Sequence, residues 1–209
     1  GESNSLNPDD YRSLFPLLIR DWRKRWKQGD FPFFFVQLAG YLARLEPEPS
    51  PWALVRERQT AALRLPRTGM AVTFDLGDPH DVHPKNKQEI GRRLALQALN
   101  QVYRKKVIAS GPFFHTAKVD GNGRVRLRFK HTDKGLKLQW GRQPAGFQLA
   151  AKDGVFVWAQ AKIEKTSIVA WHPEIKQPSA IRYAWANAPV GNVSNGAGLP
   201  LAPFRAEIA

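Results

Sequence analysis

The segment Asp78-Pro79-His80-Asp81-Val82-His83-Pro84-Lys85-Asn86-Lys87-Gln88-Glu89 holds the residue types best suited to proton transfer in this chain. An imidazole titrates near neutrality and can act as a general base, while a carboxylate behind it fixes the tautomer and stabilises the imidazolium. His83 is the candidate base. Asp81 is its nearest carboxylate in sequence, with Asp78 and Asp75 also close. An Asp-x-His in a loop serves equally well as a cap, and spacing alone leaves both readings open. His80 and His83 could share a zinc ion, but His115, His131 and His172 lie far along the chain, so no metal and no other cofactor is expected. The absence of cysteine removes disulfides, thiolate nucleophiles and cysteine-ligated metals.

The flanking segments position these groups. Met70-Ala71-Val72-Thr73-Phe74 is a continuous apolar run, as in a buried strand, whereas Ile90, Leu94 and Ala98 recur on one face of a helix. His83 is therefore expected in a strand-to-helix turn, where open α/β sheets gather ligands and catalytic groups. The positive end of the helix dipole there would favour an unprotonated ring, available as a base.

The same alternation fills the first half. Asn7, Pro8, Asp9 and Asp10 suit a helix start, and Tyr11, Phe15, Leu18, Trp22 and Trp26 predict one buried stripe ending at Gly29. Phe33-Phe34-Phe35-Val36-Gln37-Leu38-Ala39 is apolar on both faces, as in a parallel strand covered by helices. Ser50-Pro51 opens a second helix through Val55, Gln59 and Ala62 to about Leu65, and a third runs from about Pro84 to Tyr103. Two strands do not make a self-sufficient parallel sheet, so further strands are expected on the N-terminal side of this chain.

In the second half the apolar period shortens to 2. Val125, Leu127 and Phe129 alternate with Arg124, Arg126, Arg128 and Lys130, after the turn signal Asp120-Gly121-Asn122-Gly123. Further strands are predicted at Leu136–Gln139, Gly146–Ala150, Val155–Ala159, Ser167–Trp171 and Ile181–Ala184. Many short strands without helices suggest a β-sandwich. The expected organisation is α/β over residues 1–107 and all-β over residues 108–209. Trp140, Trp158, Trp171 and Trp185 could form a sugar-stacking platform; Trp158, between Val157 and Ala159, predicts core, while Trp140 and Trp171 have polar neighbours.

The formal charge of +14 would suggest a polyanionic partner, but it is spread over both halves. The densest run, Arg20, Arg23, Lys24, Arg25 and Lys27, reads as the solvated face of the first helix, and no nucleic-acid partner is expected. No apolar run approaches the roughly 20 residues of a membrane span. Ser3 in Gly1-Glu2-Ser3-Asn4-Ser5 lacks the second glycine of a nucleophile elbow and reads as a loop cap.

An ordered set of motifs resembles the sialate O-acetylesterase family of SGNH-type hydrolases. It comprises Gly1-Glu2-Ser3-Asn4, Tyr11-Arg12, Phe35-Val36-Gln37-Leu38, Val55-Arg56-Glu57-x-Gln59 and Asp81-Val82-His83-Pro84-Lys85-Asn86-Lys87-Gln88. In the second half it continues through Ile181-Arg182-Tyr183-Ala184-Trp185-Ala186-Asn187 and Gly198-Leu199-Pro200-x-x-Pro203-Phe204-Arg205. The resemblance implies the C-terminal half of an SGNH (flavodoxin-like) α/β/α hydrolase domain followed by a small β-sandwich domain. It implies a serine esterase that removes acetyl groups from O-acetylated sugars or glycans, with His83 as base and Asp81 as its orienting acid.

In the commonest pattern of such enzymes the acid lies three residues before the histidine, where this chain has His80, so Asp78 stands as the alternative acid. Gly1 and Glu2 match the block that helps form the oxyanion hole. The nucleophilic serine falls in the N-terminal part of the same enzyme, so this chain alone is expected to be inactive. Arg56 is a candidate substrate contact and, on a helix, equally a structural ion-pair partner. The resemblance favours a secreted or periplasmic location. The competing readings are an acetylxylan-type polysaccharide esterase and a non-catalytic carbohydrate-binding module.

Overall fold

The computed structural model describes residues 1–42 and 50–208. They fall into two compact units that divide after Ser110. The first contains α1 (Pro8–Trp26), β1 (Phe33–Val36), α2 (Pro51–Ala61), β2 (Thr68–Ala71) and α3 (Lys87–Gln101), with 3₁₀ turns at Glu2–Leu6, Ala62–Arg64 and Phe74–Leu76. β1 and β2 pair in parallel, from Phe33 opposite Thr68 to Val36 opposite Ala71. Helices cover such a pair because its side chains are apolar on both faces. Phe15 of α1 meets Phe33 and Phe35 edge-on, at centroid distances of 6.3 and 4.9 Å.

Glutamines bond the outward carbonyls of β2 and the end of β1. Arg67 and Ala71 turn their carbonyls toward β1, accepting from Phe33 N at 2.9 Å and Gln37 N at 2.8 Å. Backbone groups alternate sides along a strand, so Thr68 and Met70 point theirs away. Those carbonyls accept from Gln101 Nε2 at 3.1 Å and Gln97 Nε2 at 3.4 Å, both on α3. Beside β1, the Gln59 amide accepts from Leu38 N at 2.8 Å and donates to Val36 O at 3.4 Å.

Several predicted boundaries move. The buried stripe of α1 is Tyr11, Phe15, Ile19 and Arg23, rather than the stripe through Leu18, Trp22 and Trp26. Strict four-residue steps select one face, and Arg23 is accommodated there because Nη2 donates to the Phe31 and Pro66 carbonyls, each at 2.8 Å. Trp22 and Trp26 instead stack on each other at 5.9 Å, half-exposed. α1 stops at Lys27, in the left-handed conformation at φ 53°, before Gly29. β2 ends at Ala71, because the chain turns into a 3₁₀ segment at Phe74 rather than continuing the strand. α3 starts at Lys87, where the Asn86 side chain caps Glu89 N at 3.1 Å.

The second unit is all antiparallel. One four-stranded sheet has the order β3-β4-β9-β8, built from Phe113–Val119, Val125–Lys130, Ser167–Trp171 and Gln160–Glu164. The other has the order β12-β10-β6-β7, from Phe204–Glu207, Ala180–Tyr183, Phe147–Ala150 and Phe156–Trp158. β5 (Leu136–Leu138) pairs with β11 (Val193–Asn195). Phe114 of β3 stacks on Phe204 of β12 at 4.6 Å, joining the two larger sheets in one apolar core. Two of the unpredicted strands, β3 and β8, have local causes. β3 carries a bulge between Phe114 and Thr116 that breaks its alternation, and β8 begins only two residues after β7 ends. Trp158, predicted as core, is half-exposed near the end of the short edge strand β7, whereas Trp185 is buried.

Candidate active site

The chain between β2 and α3 is held at both ends by one arginine. Arg93, in the second turn of α3, grips Asp75 with Nη1 and Nη2, each 2.7 Å from a different carboxylate oxygen. Its Nε donates to Glu89 Oε1 at 2.8 Å, and Nη1 also reaches the Val72 carbonyl. Side-chain exposure is only 5% for Arg93 and 11% for Asp75, so the planar fork and the carboxylate meet largely away from water. Arg92 adds Nε–Glu89 Oε2 at 2.6 Å and Nη2–Glu89 Oε1 at 2.7 Å. Those bonds, Arg92 first, pull the Glu89 carboxyl down to about 2 against its burial.

Three further contacts fix the loop against the turn after β1. Thr73 Oγ1 donates to the Gln37 carbonyl, and Leu42 N donates to Pro79 O at 3.1 Å. At Gly77 a side chain is excluded: a Cβ there would lie 2.2 to 2.6 Å from the backbone O, N and Cα of Gly40.

Within this frame the loop makes two successive Asx turns. Asp78 Oδ1 accepts from His80 N and Asp81 Oδ1 accepts from His83 N, both at 2.9 Å. Asp81 therefore caps the backbone, as its spacing allowed. The same Oδ1 also lies 3.5 Å from His83 Nδ1, beyond a formed hydrogen bond but within adjustment of one. The His83 side chain is 83% exposed, so its ring is open to an incoming group. Asp78 turns its other oxygen to Lys85 Nζ at 3.6 Å, and the His80 N–H holds its carboxyl below the usual range. Asp75 is engaged by Arg93. The structure thus brings Asp81 to His83, with Asp78 and Asp75 engaged elsewhere.

The other candidates are placed differently. Gly1 and Glu2 lie in the 3₁₀ turn beside α1 and α2, where Asn4 N donates to the Gly1 carbonyl at 3.1 Å. Ser3 is exposed in the same turn. Arg56, the candidate substrate contact, lies inside the first unit. It is fully buried, and its guanidinium donates to the carbonyls of Leu38 at 2.7 Å and Ala39 at 2.9 Å. Burial lowers its pKa to about 9, and those carbonyls favour the charged form retained at neutral pH. The expected dipole effect on His83 also moves. α3 begins four residues later, and Glu89 occupies its first turn.

The clamp was the residue set that sequence reasoning missed. Glu89 and Arg93 stand at i, i+4 spacing, which is visible in the sequence. Asp75 is 18 residues from Arg93, and nothing local marks it as the partner.

No family model matches the chain. It is 30% identical over 241 residues to the sialate O-acetylesterase of Mus musculus, which matches all of this chain and 43% of that protein. The Homo sapiens sialate O-acetylesterase is 36% identical over 124 residues, covering 51% of this chain and 24% of the relative. The crystal structure of a carbohydrate acetylesterase from Xanthomonas citri superposes with a TM-score of 0.93 at 38% identity. That match covers 99% of this chain and 48% of the other. The chain thus spans less than half the length of the curated relatives it matches, and the resemblance read from its motifs holds over its whole length.

Two expectations follow. Arg56→Ala should destabilise the first unit by about 3 kcal/mol, by removing the donor to the partly buried Leu38 carbonyl and emptying the buried side-chain volume; denaturant unfolding measures it. Unchanged stability with weakened substrate binding would restore the contact reading. The folded Glu89 pKa, about 2, lies below its ordinary 4.5, so its stabilisation is complete above pH 4.5 and fades as pH falls toward 2. The stability gap between the native chain and Glu89→Gln should therefore be present at neutral pH and close over that window in acid unfolding curves.

Proposed function

From a chain related along its whole length to the sialate O-acetylesterases, we propose a carbohydrate O-acetylesterase that works by serine-hydrolase chemistry, with this chain supplying the general base. The observation that carries the reading is His83 beside Asp81 on a clamped loop, in a sequence aligned throughout with esterases of this name. His83 accepts the proton of an attacking serine hydroxyl and returns it to the departing sugar oxygen. Asp81 holds the ring through Nδ1 and stabilises the imidazolium formed in that step. Asp81 is favoured over Asp78 because Asp78 is bonded to the His80 N–H and faces Lys85. Gly1 and Glu2 belong to the block that lines the oxyanion hole.

Residues 1–107 are read as the C-terminal part of an SGNH-type α/β/α domain, and 108–209 as a β-sandwich accessory domain. A single parallel pair is a small fraction of such a sheet, which supports the first assignment. Phe114 stacked on Phe204, joining two four-stranded sheets, supports the second. Among the described residues, no serine hydroxyl is hydrogen-bonded to the His83 ring. The nucleophile is assigned to the N-terminal part of the same enzyme, outside this chain. Sialate is the leading substrate, and acetylated plant polysaccharide is the competing one.

The 209-residue chain alone should therefore not turn over an acetyl-ester dye, and turnover would overturn the placement of the nucleophile. In the whole enzyme, His83→Ala should lower kcat/KM by about 10²- to 10⁴-fold. Asp81→Asn should cost more than Asp78→Asn; near-native activity of the His83 variant would refute the base assignment. Comparing deacetylation of O-acetyl sialic acid with that of acetylxylan separates the two substrates.

A further inference from the structure

The second unit contains a cleft of about 330 Å³ beside the edge strand β8, lined by Trp171, Gln160, Lys162, Arg142 and Gln143 over Leu138. We propose that this cleft binds a pyranose carrying a carboxylate. The ring, the cations and the amides are each the kind of group such a ligand needs. An indole offers the apolar C–H face of a sugar a flat surface, and one side of Trp171 is already occupied by the Arg124 guanidinium, 5.3 Å from the ring centroid. Trp171 and Gln160 are directly paired across β9 and β8, so the stacking surface and an amide for sugar hydroxyls share one register.

The cations are available. Glu164, near Lys162, already accepts from Arg126 Nη1 at 2.7 Å. Among the described residues neither Arg142 nor Lys162 has a carboxylate within ion-pair distance. From residue 108 onward the chain carries 14 Lys+Arg against 6 Asp+Glu, a positive surplus that draws an anion toward the cleft.

The wall that presents Arg142 is built rigidly. Asn192, fully buried, donates to the Trp140 carbonyl at 2.8 Å and the Gln143 carbonyl at 2.9 Å, and accepts from Ala145 N at 2.8 Å. Gln139 N adds a bond to Asn192 O at 2.8 Å. The 139–145 loop is thereby pinned at four backbone groups, and the entropy of ordering it is spent on folding rather than on binding. A neutral sugar would use the indole and amides but leave both cations unanswered. The volume is at the low end for small-molecule sites, which suits a monosaccharide unit rather than a polymer groove.

The test titrates the 209-residue chain with 3′-sialyllactose and with a glucuronic-acid-substituted xylo-oligosaccharide, following binding by calorimetry. Lactose and unsubstituted xylo-oligosaccharide are the neutral controls. At least one acidic sugar should bind about tenfold or more tightly than its neutral control, and low ionic strength should widen the difference. Which acidic ligand binds identifies the source of the carboxylate. Arg142→Gln, on the exposed loop, should remove that preference without changing the thermal unfolding midpoint, and Lys162→Gln should reduce it. Failure of both acidic sugars to bind at millimolar concentration, equal binding of acidic and neutral sugars, or an unaltered preference in Arg142→Gln would each overturn the proposal. None of these ligands carries an acetyl ester, so the outcome is independent of the hydrolase reading.

Discussion

The bidentate pair between Arg93 and Asp75 is the constraint on which the path of the chain from β2 to α3 depends. A long connection between a strand and a helix would ordinarily sample many conformations, at a cost of about 1–2 kcal/mol for each backbone residue fixed. Here one guanidinium ties the start of that connection to α3 and reaches Glu89, just beyond its end. Geometry makes arginine suited to this. Its five donors serve Asp75, Glu89 and the Val72 carbonyl together, whereas a lysine ammonium is a point charge without a fixed fork. The exposed His83 ring thus stands on a loop tied at both of its ends.

The second unit solves the same problem with a neutral group. Asn192 holds its loop through amide hydrogen bonds, and Asn195 does likewise nearby, accepting from Ala197 N at 3.2 Å and Leu199 N at 3.1 Å. A buried amide costs little desolvation once its donors and acceptors are matched, whereas a buried ion pair must recover a large hydration energy. An amide suffices where the loop only needs to be fixed. Both clamps join segments distant in sequence, Arg93 and Asp75 by 18 positions and Asn192 and its loop partners by 47 to 52.

What could be read from the sequence follows the range of the interactions. The alternation of Val125, Leu127 and Phe129 was legible because each residue's environment depends on its neighbours two positions away. The helix start at Asn7 and the cap at Ser50 were legible for the same reason, although only Ser50 forms the cap bond with its side chain, and so was the juxtaposition of Asp81 with His83. The burial of Arg56 was not. Its partners, Leu38 and Ala39, are separated from it by 18 and 17 positions, and no local pattern distinguishes it from Arg58. The pairing of Asp75 with Arg93 escaped for that reason too. In α1 the error came from admitting both three- and four-residue steps, when the packed face used four-residue steps alone.

The glutamine amides along the parallel pair have a consequence for how the chain behaves toward other chains. A short parallel ladder with bare edges is a template, because each unpaired carbonyl invites a strand from another molecule. Gln97 and Gln101 occupy the outward carbonyls of β2, and Gln59 does the same at the end of β1. A side-chain amide offers the same donor and acceptor as a peptide group, but it has no chain behind it to continue the ladder. On β2 the two glutamines therefore act as terminators, satisfying its outward carbonyls while denying register to an intruding strand; at β1, Gln59 bonds only Val36 and Leu38 at the strand's end and leaves the edge where the further strands of the proposed domain would pair.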